Sequence, residues 1–415
     1  MGSGTASSSV GSARRRATSG SADRVPHPAP PGGTVTPDDP GTRDRPPSPD
    51  GSEAEPPPAG VRPAQPAGLP PAPSCSFASD NTAGASPEVL EALAAANSGP
   101  AMAYGDDPWT ASAERAIREL FDAPVEVLFC WGGTGANIVG LASVLQPWQA
   151  VITVDSAHVV VDETGGPVRF SGSSIITVPA VDGKLVPDAL EPYAFWAGIE
   201  HRPQPRVVTV SQATEDGTVY TADELGALAE RCHARGMVLH VDGARIANAV
   251  VATGTDLTTL IRDPGVDVMT FGMTKNGAVY GEAVVFVDPA LATHARYVRK
   301  QAGQLVSKSR YVGAQVAALL TDDLWLRNAR TANDTAALLA REVAGVEGVT
   351  VVRPPQVNMV FATVPWDRLG TLLEWSFFWP WDPEHHVVRW MTSFQTTEAD
   401  VHTFVAGIRR ILAGD

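Results

Sequence analysis

Cysteines and long apolar runs are both scarce in this sequence. The three cysteines, Cys75, Cys130 and Cys232, have no paired spacing, which excludes a disulfide framework or a zinc site and favours a reducing compartment. No apolar run approaches the roughly 20 residues that span a bilayer. No apolar stretch follows the arginines at 14–16, as it would in a secretory signal. We therefore expect a cytoplasmic protein with no membrane segment and no bound metal.

Positive charge is also in short supply. Lys and Arg number 31 against 46 Asp and Glu, which gives a formal net charge of −15. Nucleic acids and anionic membranes require clustered basic residues, so this balance excludes a general binder of either. A local basic pocket for one phosphate is still compatible with it, and we expect a small-molecule partner.

Residues 1–75 differ from the rest of the chain. They hold 17 of the 35 prolines, almost no large apolar residue, and seven Arg against seven acidic residues. Such a segment buries too little surface to offset its ordering entropy, so we predict a disordered tail. It is either a dispensable extension or a regulatory or binding segment.

The remaining chain alternates short apolar runs with helix-like stretches, among them 113–121 and 222–235. This alternation predicts an α/β fold with a mostly parallel, seven-stranded sheet covered by helices on both faces. The predicted strands are 126–130, 151–155, 174–178, 207–211, 237–241, 267–271 and 283–287.

The last hundred residues have a different pattern. A long Ala/Leu-rich helix at 327–346 precedes two apolar runs, 349–353 and 359–364, and a final helix at 398–412. We predict a major domain over 76–320 and a small C-terminal α+β domain over 321–415.

Lysine is the rarest basic residue, and one lysine stands in an unusual place. Only four are present, at 184, 275, 300 and 308, and Lys275 follows the apolar run 267–271 and opens a glycine-bearing turn. A lysine at the end of a buried strand can form a Schiff base with an aldehyde cofactor, which arginine cannot do. Taken alone, Lys275 fits an ordinary surface lysine better than a cofactor site.

Asp242 gives the lysine a partner. It follows the apolar run 237–241, and the carboxyl end of a parallel strand faces the crevice where open α/β sheets bind ligands. Pyridoxal phosphate needs a carboxylate there to keep its pyridine nitrogen protonated, which makes the ring an electron sink. A helix cap is the alternative explanation, but the pairing of Asp242 with Lys275 favours the cofactor.

Three further features fit the same site, although each has an ordinary explanation. The segment 132–137 (GGTGAN) lies between a strand and a predicted helix at 138–145, where backbone N–H groups and the Thr134 hydroxyl suit a phosphate. His158 is a candidate for stacking on the ring or for acid–base work, or else a loop histidine. Arg389 is suited to a substrate carboxylate, or else is a surface arginine.

From about Ser79 onward, the chain resembles the low-specificity L-threonine aldolases. These belong to the β-eliminating lyase grouping of the fold-type-I pyridoxal-phosphate enzymes. The segments that carry the resemblance are collinear: SDN (79–81), AYGDDP (103–108), GGTGAN (132–137), DSAHVVVDETGG (155–166), SQATEDGTVYTADEL (211–225), LHVDGARIANA (239–249), FGMTKNGAVYGEAVVF (271–286), RKQAGQLVSKSRYV (299–312) and VVRWMTSFQTTEADV (387–401).

The resemblance implies a role for each candidate residue. It implies a homotetramer built from dimers, in which active sites lie at subunit interfaces and Tyr104 lies near such an interface. The implied cofactor contacts are Lys275 as the Schiff-base lysine, Asp242 on the pyridine nitrogen, Arg245 near the phenolic oxygen, His158 stacked on the ring, and Gly133 and Thr134 on the phosphate, with Arg310, or alternatively Lys308, reaching it from a neighbouring subunit. Ser79 and Arg389 are implied to hold the substrate carboxylate, and Tyr104 is a third candidate for substrate binding.

The implied reaction is retro-aldol cleavage of L-threonine, L-allo-threonine and related β-hydroxy-α-amino acids to glycine and an aldehyde. The better-known members carry Glu-Asn-Thr-His-Asn where this chain has 211–216 (SQATED), so a second active-site histidine is absent. His158, or a water that it orders, is then the first candidate for the hydroxyl base. Two alternatives stay open: another fold-type-I enzyme, either a β-eliminating lyase or a transaminase, and a non-catalytic protein that kept the fold.

Overall fold

The structure is a computed structural model that describes residues 68–414. The predicted tail of residues 1–75 lies outside the described residues except for its end. There, Leu69, Ala72 and Cys75 pack against the second of two hydrophobic cores, and the Trp375 indole N–H donates a hydrogen bond to the Pro70 carbonyl at 2.9 Å. The predicted boundary at 75 therefore falls inside a packed segment, whose few apolar contacts are concealed by its proline-rich composition.

Seven strands form one mostly parallel sheet, as predicted. Its order is β1-β7-β6-β5-β4-β2-β3, and β7 alone runs antiparallel to its neighbours. Each predicted apolar run is confirmed as one of these strands. They are β1 Glu126–Cys130, β2 Gln149–Val154, β3 Ser174–Val178, β4 Gln204–Ser211, β5 Val238–Gly243, β6 Val268–Phe271 and β7 Glu282–Phe286.

The centre of this sheet is buried on both sides. Every residue of β5, β6 and β7 is buried. Because successive side chains of a strand point to opposite faces, burial at every position means that both faces are covered. Continuous aliphatic runs, rather than alternating ones, are what a parallel sheet between two layers requires.

Four of the five predicted helices are present as α2, α7, α11 and α13, and the fifth, predicted at 138–145, belongs to α3. Both α7 and α13 begin with capping boxes, Thr221 with Glu224 and Thr397 with Asp400, which satisfy their first N–H groups. Among residues 68–414, no helix is long and apolar enough to cross a bilayer. The α-helices are α1 Pro87–Ala96, α2 Pro108–Phe121, α3 Gly133–Val144, α4 His158–Val161, α5 Gly166–Ser171, α6 Glu191–Ala194, α7 Ala222–His233, α8 Ile246–Thr253, α9 Ala295–Gln301, α10 Arg310–Leu320, α11 Leu324–Val343, α12 Leu369–Trp375 and α13 Glu398–Ala413.

The start of α3 differs from the prediction. The glycine-rich segment 132–137 was expected to be a turn before a helix at 138, but α3 begins at Gly133, after an extended Gly132. Glycine lowers helix propensity, which is why the pattern predicts a turn. Positions 135–141 are all buried, however, and this packing against the sheet outweighs the local preference.

A second, antiparallel sheet has the order β10-β11-β9-β8. Its strands are β8 Thr350–Val351, β9 Met359–Thr363, β10 Trp379–Asp382 and β11 Val387–Met391, of which the first two were predicted. This sheet surrounds the second hydrophobic core together with α12 and α13. The long helix α11 joins the cores, because Trp325 packs in the first and Leu339 in the second. The domain boundary between 320 and 321 stays a prediction.

Candidate active site

A cleft with a volume of about 250 Å³ opens at the carboxyl ends of the parallel strands. Five residues that the sequence singled out line it together: Lys275, Asp242, His158, Gly133 and Thr134. Open α/β sheets bind their ligands at this edge. The cleft is also lined by residues that sequence reasoning missed, namely Asn81, Trp131, Asn137, Glu215, Ala244, Tyr280 and Glu282.

Lys275 lies in a short helical turn, Thr274–Asn276, directly after β6. The Asn276 side chain anchors this turn by donating a hydrogen bond to the Trp325 carbonyl at 2.8 Å. Gly277 ends it with φ 112°, and a Cβ there would lie 2.3 Å from the Ser86 hydroxyl oxygen. Only glycine fits both the left-handed conformation and the close approach. The lysine side chain therefore leaves a rigid base.

Asp242 belongs to a buried hydrogen-bond network. The Asn137 amide nitrogen donates to Asp242 Oδ2 and to Glu163 Oε1, both at 2.7 Å. The second oxygen of Asp242 accepts the Ala244 N–H at 3.0 Å. The Thr270 hydroxyl donates to the Asn137 carbonyl oxygen at 2.8 Å, which fixes the orientation of the amide. A buried carboxylate that is hydrogen-bonded from several sides keeps a fixed direction.

His158 joins this network through Glu163. Its Nδ1 lies 2.8 Å from Glu163 Oε1, so the neutral ring carries its proton on Nδ1 and leaves Nε2 as an acceptor. The hydrogen bond to Glu163 raises the pKa of His158, and burial opposes that shift.

The ligand atoms of His158, Glu163 and Asp242 lie within 4.8 Å of one another, a spacing compatible with a cation. The Asn137 N–H₂ group, however, already donates to both carboxylates. The Asn137 amide and the His158 ring therefore already supply hydrogen-bond donors to these carboxylates.

The start of α3 supplies donors on another side of the cleft. The first N–H groups of a helix have no carbonyl partner within it, and here they belong to a segment that lines the cleft at Gly133 and Thr134. A Cβ on Gly132 or Gly133 would meet nothing within 4 Å, so the space beside this backbone is open. Unpaired N–H groups, a hydroxyl and open space suit a phosphate.

Arg245 is buried beside the cleft rather than lining it. Its guanidinium donates two hydrogen bonds to Asp80, at 2.7 and 3.0 Å, and the Asn358 amide donates a third to the same carboxylate at 3.1 Å. Burial alone would raise the pKa of Asp80, but the charges of Arg245 and Lys275 outweigh it and hold that pKa below its ordinary value. The sequence reasoning missed Asp80, although it stands in the SDN motif.

Arg389 lies on β11 with its guanidinium 4.4 Å from the centroid of the Trp381 ring. Within residues 68–414, its buried Nε has no hydrogen-bond partner. Burial, reinforced by repulsion from Arg245, lowers the pKa of Arg389 to about 10, which still leaves it charged at neutral pH. Ser79 caps the turn Asp80–Thr82, where its hydroxyl accepts the Asn81 N–H at 3.2 Å.

The three residues expected at a subunit interface lie outside the cleft lining of this chain. Arg310 begins α10 and donates a hydrogen bond to the Gly99 carbonyl at 2.8 Å. Lys308 is exposed. Tyr104 is 52% exposed, has φ 64°, and its ring lies 5.1 Å from the Lys300 amine. Their predicted roles require a second subunit and stay predictions.

The chain is similar to a known family of lyases and to named members of it. The Beta-eliminating lyase family matches residues 76–365. The low specificity L-threonine aldolase of Pseudomonas sp. (strain NCIMB 10558) is 42% identical over 343 residues, which cover 82% of this chain and 99% of the relative. The enzyme of the same name from Pseudomonas aeruginosa is 46% identical over 305 residues, 73% of this chain and 88% of its own.

A solved structure supports the same grouping. The Leishmania major threonine aldolase superposes with a TM-score of 0.75 at 32% identity, and the match covers 81% of this chain and 99% of that one. The fold is that of the fold-type-I pyridoxal-phosphate enzymes, and members of this family depend on that cofactor. The chain therefore belongs to the low-specificity L-threonine aldolase family, within the β-eliminating lyases.

Proposed function

We propose that the protein cleaves L-threonine, L-allo-threonine and related β-hydroxy-α-amino acids to glycine and an aldehyde. Membership of a family whose relatives are named for threonine cleavage supports this substrate class. The observation that carries the proposal is the single cleft in which Lys275, Asp242 and His158 meet. An amine, a carboxylate and an imidazole are the groups that amino-acid chemistry on pyridoxal phosphate requires.

The residues around the cleft fit this cofactor. Lys275 would hold its aldehyde carbon, and Asp242 would face its pyridine nitrogen and keep a proton there. Gly133, Thr134 and the first N–H groups of α3 would hold its phosphate. When bound, the cofactor supplies an electron sink for the pair that is released as the Cα–Cβ bond breaks. Arg245, with its direction set by Asp80, would lie beside the ring.

Arg389 and Ser79 would bind the substrate carboxylate. Arg389 is charged, half-buried and stacked on Trp381, and its Nε lacks a partner within residues 68–414. A guanidinium that is held flat by an aromatic ring can meet a carboxylate with two parallel hydrogen bonds. This contact would fix the direction of the substrate, so that its β-carbon lies in the cleft rather than in solvent.

His158 would take the proton from the β-hydroxyl group at Nε2, directly or through a water. Its Nδ1 is committed to Glu163, which holds the ring in one tautomer and stabilises the imidazolium that forms. The proton then stays on Nε2 until the aldehyde has left. Glu163 thereby acts through His158, as a positioning residue.

We also propose that the active assembly is a homotetramer in which Arg310 reaches the phosphate site of a neighbouring subunit and Tyr104 lies at that interface. The exposure of Tyr104 supports this arrangement. Sedimentation of the purified protein tests it: a monomer that is fully active would exclude a shared site.

The first test of the proposed function is release of acetaldehyde and glycine from L-threonine by protein supplied with pyridoxal phosphate. We expect equal amounts of both products. Lys275→Ala should lower turnover by at least about 10³-fold, because the cofactor loses its covalent holder. Lys184→Ala is the matched control, since Lys184 pairs with Glu224 on the surface, and it should leave turnover unchanged.

Two results would contradict the proposal. Pyruvate and ammonia in place of glycine would indicate a β-eliminating lyase. Transfer of the amino group to a keto acid would indicate a transaminase.

A further inference from the structure

Glu282 is a buried carboxylate for which the proposed reaction has no use. It begins β7, whose other residues are Ala283, Val284, Val285 and Phe286, and it is only 5% exposed. An ionisable side chain at such a position costs free energy unless it is compensated. A neutral glutamine would have nearly the same shape and carry no ionisable group. The carboxylate therefore needs an explanation beyond packing.

The position of Glu282 points to Lys275. Both side chains line the same cleft. The Glu282 carboxylate accepts hydrogen bonds from the Met273 and Thr274 N–H groups, at 2.5 and 3.4 Å, and these residues directly precede the lysine. The Glu282 carboxylate thus holds the turn that carries Lys275, and it lies in the same cleft as the lysine side chain.

Burial raises the pKa of Glu282 to about 7, although hydrogen bonds from Thr274 and Met273 and the charge of Lys275 all oppose that shift. The other ionisable group that Glu282 influences is Cys130, directly opposite on β1, where burial raises the thiol pKa to about 12. The Cys130 thiol is therefore uncharged near neutral pH.

Besides Glu282, the carboxylates of Asp242 and Glu215 line the cleft with Lys275. Asp80 also senses the charge of Lys275 but is paired with Arg245. Asp242 accepts from Asn137 and Ala244. Glu282 differs from them because its carboxylate is hydrogen-bonded to the turn that carries Lys275.

We propose that Glu282 is the counter-charge of the Lys275 nitrogen and sets the pH at which that nitrogen, joined to the cofactor, loses its proton. Glu282 is thus a positioning residue that acts through Lys275. The ionised carboxylate stabilises the protonated nitrogen, and the neutral acid does not. The effect is electrostatic: apart from protons that exchange with solvent, no covalent bond forms or breaks. The inference rests on the cofactor part of the proposed function and is independent of the substrate.

The test is an absorbance titration of the cofactor-loaded protein without substrate, because the linkage between lysine and cofactor changes colour with its protonation. Glu282→Gln should move the midpoint down by about one pH unit or more, since a favourable charge is removed. The native curve should be broader than that of a single proton, because two interacting groups titrate together. The Glu282→Gln curve should narrow to one proton.

Two variants separate charge from structure. Glu282→Asp keeps the charge at a slightly greater distance and should fall between the native protein and Glu282→Gln. If Glu282→Gln does not fold, Glu282→Asp tests the inference by itself, because its titration midpoint should still lie below the native midpoint. Asp400→Asn makes the same carboxylate-to-amide change at a buried capping position of α13 and should leave the midpoint in place.

An unchanged midpoint in folded, cofactor-loaded Glu282 variants would overturn the inference and leave Glu282 as a backbone clamp. If that protein also cleaved L-threonine normally, the proposed function would stand alone. Failure of the unsubstituted protein to bind pyridoxal phosphate would overturn both together.

Discussion

The two sheets of the molecule enclose different kinds of core. Around the seven-stranded sheet, the buried side chains are mainly Val, Leu, Ile and Ala. Beside the four-stranded sheet aliphatic residues also predominate, but five of the 21 buried core residues are aromatic. Phe404 lies at the centre of these rings and stacks on Phe77 at a centroid distance of 4.0 Å. The other rings that contact Phe404 are Trp375, Phe378 and Trp390.

Buried polar groups differ in the same way. The large sheet ends its central strands in Asp242 and Lys275 and surrounds them with Asn137 and Glu163. The small sheet contributes Arg389 and, through Asn358, one hydrogen bond to the Asp80–Arg245 pair. Large aromatic rings bury more surface than aliphatic side chains do. The comparison indicates that the large-sheet region carries most of the proposed chemistry, while the small-sheet region contributes an aromatic cluster and the proposed substrate anchor.

The largest expected effect belongs to the aromatic core. Phe404→Ala should lower the free energy of unfolding by about 3–5 kcal/mol, because it removes a fully buried ring and leaves a cavity. The cofactor spectrum at low temperature should stay native, since the cleft is lined by the other region. Urea unfolding measures the change. Phe195→Ala is the control, because Phe195 is 80% exposed, and an equal loss there would contradict the division of roles.

The next effect tests Arg389, the charged residue that the four-stranded sheet contributes to the proposed substrate site. Arg389→Ala should lower kcat/KM for L-threonine about 100-fold, because a buried charge-assisted hydrogen-bond pair is lost. The midpoint of thermal unfolding should change little. Arg409→Ala, on the exposed face of α13, is the matched variant. A similar loss of kcat/KM in both variants would mean that Arg389 does not hold the carboxylate.

The smallest effect concerns two histidine–carboxylate pairs, one in each region. His158–Glu163 faces the cleft and His385–Asp382 is exposed, with N···O distances of 2.8 and 2.7 Å. A base must be neutral, so activity should appear as the pH rises through the raised pKa of His158. Glu163→Gln removes the cause of that rise and should move the acid limb of kcat/KM down by about one pH unit.

Asp382→Asn makes the same kind of change on the surface and should leave the pH profile where it is. An acid limb that stayed fixed in Glu163→Gln would show that a group other than His158 carries the titration.

Much of the architecture followed from periodicity in the sequence. The seven strands of the large sheet are continuous apolar runs, and such runs are recognisable wherever both faces of a strand are buried. Strands β10 and β11 were missed because Pro380 interrupts one of them and their aromatic and charged residues lack a clean alternation. The start of α3 was missed because burial outweighs the poor helix propensity of its glycines.

The site was predictable where its residues end strands. Three of the site residues each follow an apolar run: Lys275, Asp242 and His158. Only their chemical roles predicted that they lie close together. Asp80 and Arg245 are 165 residues apart, and Asn137 and Asp242 are 105 apart. No local pattern reports a hydrogen bond across such a separation. Glu282 is recognisable in the sequence as an acidic residue at the start of an apolar strand. Its relation to Lys275 becomes visible only when the fold places β7 beside that lysine.

The segment from Pro70 to Phe77 has a consequence for the order in which the protein is made. Its partners come very late: the Ser74 hydroxyl and N–H both bond to Asp400, 326 residues further on, and Phe77 stacks on Phe404. Ribosomes deliver the amino end first, so Phe77 emerges long before its partner exists. The aromatic core therefore cannot close before Phe404 has been synthesised, and until then Phe77 is an apolar side chain without its native partner.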